Sequence, residues 1–367
     1  MEEAQARRSG IRHLSDCAEA DTGEAALSLR YVSYRSYEEL GAFAARQQDL
    51  LGAVAFGRRP PPFAFGKGTP FIWVDMPCLG GDGVYEVWGS GQPVKSVSAR
   101  GIGASHNEDV LFGCLQVPDE ERLEDASRLV YRRVFDFIDE LGFPFLTRVW
   151  NYLPRINAET GGIERYRQFN VGRYEAFAAQ GRTGCEGSSV DMPAACALGC
   201  RGGLVNVYFL ASRRAGCPVE NPRQLSAFNY PERYGPRTPL FSRAMLMQPA
   251  GQRILSISGT ASVVGHETRH AGDPAAQIGE TIANLRALMD AAGEAAGDAS
   301  ERPTPGGRDL LLKAYLRDSG YLPVVQNALT KTFRDASVAY LQADICRSDL
   351  LVEVDGMYFP QRSEDRT

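Results

Sequence analysis

Two stretches of the chain carry the same order of hydrophobic patterns. In the first, DVLFGCLQV (109–117) is a run of short apolar residues that predicts a buried strand. Pro118-Asp119 opens a helix whose apolar positions are Leu123, Ala126, Leu129, Val130, Val134, Phe137, Ile138 and Leu141, with charged residues between them. Asp119 is its expected N-cap and Gly142 its stop. FLTRVWNYL (145–153) follows as a strand, then an amphipathic helix containing Phe169 to Phe177.

The second stretch repeats that order. RILSISGTASVV (253–264) predicts a strand, and Asp273-Pro274 opens a helix with Ile278, Ile282, Leu285, Leu288 and Met289 on one face. DLLLKAYLRD (309–318) is the next strand, a helix is expected around Val325–Ala339, and LLVEVDGMYF (350–359) closes the unit as a strand. An internal duplication of a strand–helix–strand–helix–strand unit accounts for this. Strands alternating with helices predict an α/β fold with helices packed on one face of each sheet. The connecting segments 57–70 and 291–309 read as loops, and residues 1–26 and the final QRSEDRT as polar ends. The expected division is a polar segment 1–26, a first domain 27–185 and a second domain 186–367.

Composition narrows the classes. The 367 residues are 44% hydrophobic and 23% charged, enough for a sizeable core. A formal charge of −5, without a basic run, gives no reason to expect nucleic acid. No signal-like or membrane-spanning apolar stretch is seen, which makes the cytoplasm the expected location. Eight cysteines are too sparse for a disulfide scaffold, and Cys196 and Cys200 lack a second pair at metal-ligand spacing.

The most conspicuous motif is His266-Glu267-Thr268-Arg269-His270, the H-E-x-x-H of zinc proteases. That chemistry needs both histidines one turn apart on a helix. Here the string follows a β-branched strand and a glycine and runs into Ala-Gly-Asp-Pro, so it reads as a loop. Gly66-Lys67-Gly68-Thr69 lacks the leading glycine of a phosphate loop, since Pro61 stands there.

Two segments suit a different chemistry. SAFNYPERYGPRTPLFSRAM (226–245) holds Tyr230, Arg233, Tyr234, Arg237 and Arg243. Arginine grips a carboxylate with paired hydrogen bonds and tyrosine adds a neutral donor, although taken alone the segment reads better as a solvated loop. In LQADICRSDLLVEVDG (341–356), Glu353 stands between Val352 and Val354 and so points to the opposite face of its strand. A covered face would raise its pKa and suit it to donate a proton near neutrality; an edge strand would leave it solvated. Cys346, taken alone, reads as a packed thiol.

FSRAM, LSISGTASVVG, the Asp-Pro-led helix, KAYLRD and LLVEVDG, in that order, resemble the RidA/YjgF fold. From about residue 27 to 360 the chain resembles the chorismatases, which carry two such units in tandem. The resemblance implies α/β architecture, no cofactor and no metal, and a small-molecule substrate, chorismate, from which pyruvate is removed. It further implies that Glu353 is the catalytic acid and that Tyr230 and Arg243 bind substrate carboxylates. Gly259 and Cys346 match the branch that makes 3-hydroxybenzoate, with Cys346 assisting aromatisation and Gly259 leaving room for the ring. The alternatives are the branch that hydrolyses chorismate to a dihydroxycyclohexadiene carboxylate, the branch that yields both 3- and 4-hydroxybenzoate, a RidA-like imine or enamine deaminase, and a binding protein of the same fold. No nucleic acid or membrane partner is expected, and the chain is expected to be a monomer or a small homo-oligomer.

Overall fold

A computed structural model describes residues 25–33, 49–57, 68–81, 83–183, 192–297 and 309–360, together with the backbone of Arg12–His13. Most of the expected loops at 57–70 and 291–309, most of the polar segment 1–26 and the QRSEDRT tail therefore lie outside the described residues, as do Gly66 and Lys67 of the glycine loop.

Three sheets make up the molecule. The first contains β1 (Arg12–His13), β2 (Ser28–Ser33), β3 (Leu50–Gly57), β4 (Phe71–Val74) and β5 (Gly83–Gly89), in the order β1-β2-β5-β3-β4. The second begins with β6 (Lys95–Ala99), β7 (Ile102–His106) and β8 (Val110–Pro118). Helix α1 (Leu123–Glu140), β9 (Phe145–Pro154), a short hairpin of β10 (Glu159–Thr160) and β11 (Ile163–Glu164), and helix α2 (Arg165–Ala179) follow. β12 (Ala194–Cys200) and β13 (Leu204–Ser212) complete the second sheet, ordered β12-β9-β13-β8-β7-β6. Strand pairing thus carries this sheet past residue 185 to Ser212, and the third sheet opens at Cys217.

The third sheet comprises β14 (Cys217–Val219), β15 (Ala244–Met247) and β16 (Ile254–Ala261), then, beyond the hairpin β17 (Val263–Val264) and β18 (Glu267–Thr268), β19 (Leu310–Leu316), β20 (Ser337–Gln342) and β21 (Val352–Tyr358). Its order, β14-β15-β16-β21-β19-β20, is that of the second sheet read from the other edge. In each, a parallel pair at one edge (β12 with β9, β20 with β19) adjoins a last strand inserted antiparallel (β13, β21). Helices α3 (Pro274–Ala295) and α4 (Leu322–Thr332) cover the third sheet as α1 and α2 cover the second. The two tandem mixed sheets with helices on one face, expected from the repeat and from the RidA/YjgF resemblance, are present. The first sheet adds a partial third copy, because β2, β5, β3 and β4 pair in the same senses as β8, β13, β9 and β12.

Alternation on the strands explains the layering. On β19, Leu310, Leu312, Ala314 and Leu316 face the helices, whereas Leu311 and Tyr315 join a core shared by all three sheets. That central core includes Phe56, Trp88, Phe112, Trp150, Tyr208 and Tyr315.

Local expectations fared unevenly. Asp273 caps α3 as predicted, accepting from the backbone N–H groups of Ala275 and Ala276 at 3.0 Å. Asp119 does not cap α1; it pairs with Arg155 and Arg165, and the Leu123 N–H donates instead to Gln168 Oε1 on α2 at 2.8 Å. Leu129, expected on the apolar face of α1, is 44% exposed. The helix expected around 325–339 stops at Thr332, because SVAYLQ (337–342) is drawn into parallel pairing with β19. Among the described residues no helix is long and apolar enough to cross a membrane.

Candidate active site

Glu353 lies on β21, between Tyr315 of β19 and Ala261 of β16. Val352 and Val354 face the helices, so the glutamate turns to the inner face and is only 4% exposed. Burial, reinforced by the neighbouring Asp355, pushes its carboxyl up from 4.5 to about 8; Arg148 and Arg243 pull the other way. Among the described residues no hydrogen bond holds this carboxyl.

The Glu353 carboxyl faces a cavity of about 290 Å³ between the second and third units. Gly259, Cys346, Tyr230 and Arg243 line the same cavity, so all five candidate residues meet there. Each arrives by a different route. Gly259 comes from β16, where the pairing with β21 shifts register between Ile257 and Thr260. A Cβ at position 259 would stand 2.0 Å from Glu353 Oε1 and 3.1 Å from Cys196 Cβ. The space left by this glycine is therefore filled by the Glu353 carboxyl, rather than being simply open for a ring. Cys346 sits between β20 and β21, where burial, with Glu353 beside it, pushes its thiol up to about 12. It is a neutral thiol near pH 7, a donor and not a nucleophile.

Arg243 precedes β15. Its Nη2 donates to Tyr230 Oη at 2.8 Å and to the Leu225 carbonyl at 2.7 Å, and its buried Nε has no partner among the described residues. Of the rest of the Tyr/Arg-rich segment, Tyr234 lines the cavity, whereas Arg233 turns to His266 and Glu267, and Arg237 lies over the Tyr174 ring.

Sequence reasoning missed part of the wall. Arg347 stacks on the rings of Tyr234 (4.3 Å) and Tyr230 (5.2 Å) and donates to the His266 carbonyl at 2.9 Å. Its position next to Cys346 was a usable signal. Glu164, Tyr166 and Arg167 reach in from the start of α2, in a Tyr/Arg-rich string (ERYRQF) resembling the one that drew attention at 226–245. Arg167 is balanced by Glu164 at 3.4 Å, but neither Arg243 nor Arg347 makes a salt bridge among the described residues. With Glu353 protonated, the cavity presents two guanidinium groups that make no salt bridge among the described residues, an arrangement suited to a dianion, although Glu220 lies near enough to Arg243 to feel its charge.

The H-E-x-x-H string does not form a helix. Glu267–Thr268 pairs with Val263–Val264 in the β17–β18 hairpin. His266 Nδ1 lies 3.1 Å from Tyr234 Oη, and His270 Nε2 lies 3.1 Å from Glu280, so the two rings serve different neighbours. Among the described residues no group of three or more His, Cys, Asp or Glu side chains could hold a metal. Cys196 packs in the central core, and Cys200 lies 3.5 Å from Asn206 Nδ2.

Comparison with known proteins gives consistent matches. The family model described as chorismatase FkbO/Hyg5-like, N-terminal, matches residues 86–211. A chorismatase from Streptomyces rapamycinicus is 37% identical over 332 residues, covering 88% of this chain and 97% of the relative. A 3-hydroxybenzoate synthase from Streptomyces hygroscopicus is 34% identical over 322 residues, covering 84% and 92%. A chorismatase crystal structure matches with a TM-score of 0.80 at 32% identity, covering 91% of this chain and 98% of its own.

Proposed function

The chain belongs to the chorismatase family and is an enzyme of that type, and from that premise we propose that it converts chorismate to 3-hydroxybenzoate and pyruvate. The observation that carries this reading is the Glu353 carboxyl, raised to about 8 and facing a cavity that also holds the guanidinium groups of Arg243 and Arg347, neither in a salt bridge among the described residues. An enol ether leaves only after a proton reaches its terminal carbon, and a carboxylic acid that stays protonated at neutral pH supplies it.

In the proposed route, Arg243 with Tyr230 holds one substrate carboxylate and Arg347 attracts the other. Glu353 gives its proton to the methylene of the enolpyruvyl group, and the ether becomes an oxocarbenium. The neighbouring ring hydroxyl attacks the ring carbon that bears it. That carbon–oxygen bond breaks, pyruvate departs as the ketone, and the hydroxyl proton returns to Glu353. The resulting arene oxide opens; its ring carbon loses a proton and the phenol oxygen gains one, with the Cys346 thiol and Glu353 assisting. Atoms balance without water, since chorismate contains the sum of the two products. Gly259 contributes by letting the carboxyl lie against β16, where a Cβ would displace it.

The 3-hydroxybenzoate branch is supported by Gly259 and Cys346 and by the S. hygroscopicus synthase among the relatives. The test is incubation of purified protein with chorismate and identification of products by chromatography and mass. Pyruvate and 3-hydroxybenzoate in equal amounts are expected. A non-aromatic diol or 4-hydroxybenzoate would move the protein to another branch. Unchanged chorismate with hydrolysis of imino acids would replace this reading by a deaminase.

A further inference from the structure

Beneath Glu353, away from the cavity, lies a set of charges that the route above does not use. Asp355 is two residues further along β21, so its side chain shares the inner face with Glu353. It is 1% exposed. Its Oδ2 accepts from Arg148 Nη2 at 2.9 Å and from Tyr315 Oη at 3.1 Å, and Lys313 Nζ lies 3.6 Å from Oδ1. Lys313 also donates to Glu86 and, at 2.9 Å, to Tyr208 Oη, which itself donates to Glu86 at 2.8 Å. Glu86 belongs to the first sheet, Arg148 and Tyr208 to the second, and Lys313, Tyr315 and Asp355 to the third.

The two buried acids and two buried bases cancel formally, and an apolar core of the same volume would commonly be at least as stable. Stability alone therefore does not account for an ionic cluster at this place. Its asymmetry is informative: the carboxylate, not a cation, stands nearest to Glu353 on its own strand. Arg148 spends one donor on Asp355 and lies 4.4 Å over the Trp150 ring, which fixes both partners. A buried charge so close acts on Glu353 with little screening.

We propose that Asp355, clamped by Arg148 and Lys313, is a positioning residue whose fixed negative charge makes Glu353 retain its proton until an enol ether is in place to take it. The inference rests on the reading of Glu353 as the acid. Titratable or charged groups also approach Glu353 from every neighbouring element: Tyr315 on β19, Arg148 on β9, Cys196 on β12, Arg243 ahead of β15, Cys346 on the loop before β21 and Tyr166 on α2. Of these, the two guanidinium groups favour loss of the proton, so Asp355 is the ionised carboxylate that opposes them.

The experiment is the pH dependence of kcat for pyruvate release from chorismate, by the unmodified enzyme and by Asp355→Asn and Arg148→Gln, each checked by thermal melting. The unmodified enzyme should lose activity as pH rises through about 8. In Asp355→Asn that alkaline limb should move at least one unit lower, and in Arg148→Gln it should move higher. A structural role alone would lower the melting temperature and leave the limb in place, which would overturn the proposal. Should Asp355→Asn fail to fold, Arg148→Gln still decides, since an unmoved limb there is equally fatal. Glu353→Gln separates the two readings. If that variant is active, the acid assignment fails; if it is inactive while both limbs stay put, only the role of Asp355 fails.

Discussion

At the residue scale, one carboxyl distinguishes this molecule from a mere stack of sheets. Tyr152 and Tyr315, whose hydroxyls meet at 2.9 Å, stand on the corresponding strands β9 and β19. Opposite Tyr152 is Asn206, whereas opposite Tyr315 is Glu353. The two copies thus share a backbone and differ in the side chain that can carry a proton. A raised carboxyl also has a cost in stability. Glu353 binds its proton more tightly in the folded chain than in the unfolded one, so stability declines as pH rises from about 4.5 to about 8. Glu353→Gln should therefore melt a few degrees higher than the unmodified protein at pH 8 and no higher at pH 4.5. The same variant should lose roughly 10²-fold or more in kcat for pyruvate release. Equal melting temperatures at pH 8 would show that burial does not penalise this carboxylate.

At the element scale, caps and turns were legible where the signal is local and lost where a neighbour intervenes. Asp273-Pro274 acts through two backbone N–H groups within three residues, and it opens α3 as read. Asp273→Ala should cost about 1 kcal/mol, a fall of roughly 1–3 °C in melting temperature, with KM for chorismate unchanged because the cap lies outside the cavity wall. A larger loss, or a change in KM, would mean that the start of α3 bears on the site. Asp119 carried an equally good local signal, but the guanidinium groups of Arg155 and Arg165 compete for its carboxylate. Gln168, from the packed helix α2, fills the vacancy. Strand β20 was misread as the end of a helix for a related reason, since its parallel partner lies more than twenty residues earlier in the chain.

At the scale of the whole molecule, the units are not independent. The inner faces of the three sheets bury one another, and the cavity takes Tyr166 and Arg167 from the second sheet's unit and Glu353, Arg243 and Arg347 from the third. Hydrogen bonds cross all three junctions: Gly199 N–H donates to Asp344 O at 2.6 Å, Leu79 N–H donates to Tyr340 O at 2.8 Å, and Arg201 N–H donates to Asp75 O at 2.8 Å. Residues 213–367 expressed alone should expose their half of this core, aggregate, and show no pyruvate release. Co-expression with residues 1–212 should restore soluble protein and activity. Activity in the isolated fragment would refute the shared site.

The sequence by itself determined the repeat, the layering and the expectation that Glu353 faces away from its valines. These follow from spacing along a strand or from residues close together in the chain, which period and local chemistry encode. It also marked the H-E-x-x-H string as non-helical, because a glycine and a β-branched strand precede it, although the structure draws Glu267–Thr268 into a hairpin strand where a loop was expected. Only the tertiary structure decided that the face bearing Glu353 is covered, that Gly259 makes room for its carboxyl, and that Arg167 and Arg347 belong to the same cavity. The partial third copy and the Glu86–Lys313–Asp355–Arg148 cluster were likewise out of reach. Those features depend on contacts between residues far apart in the chain, and the free energy that brings them together lies in apolar burial, which records how much surface is covered but not by which neighbour.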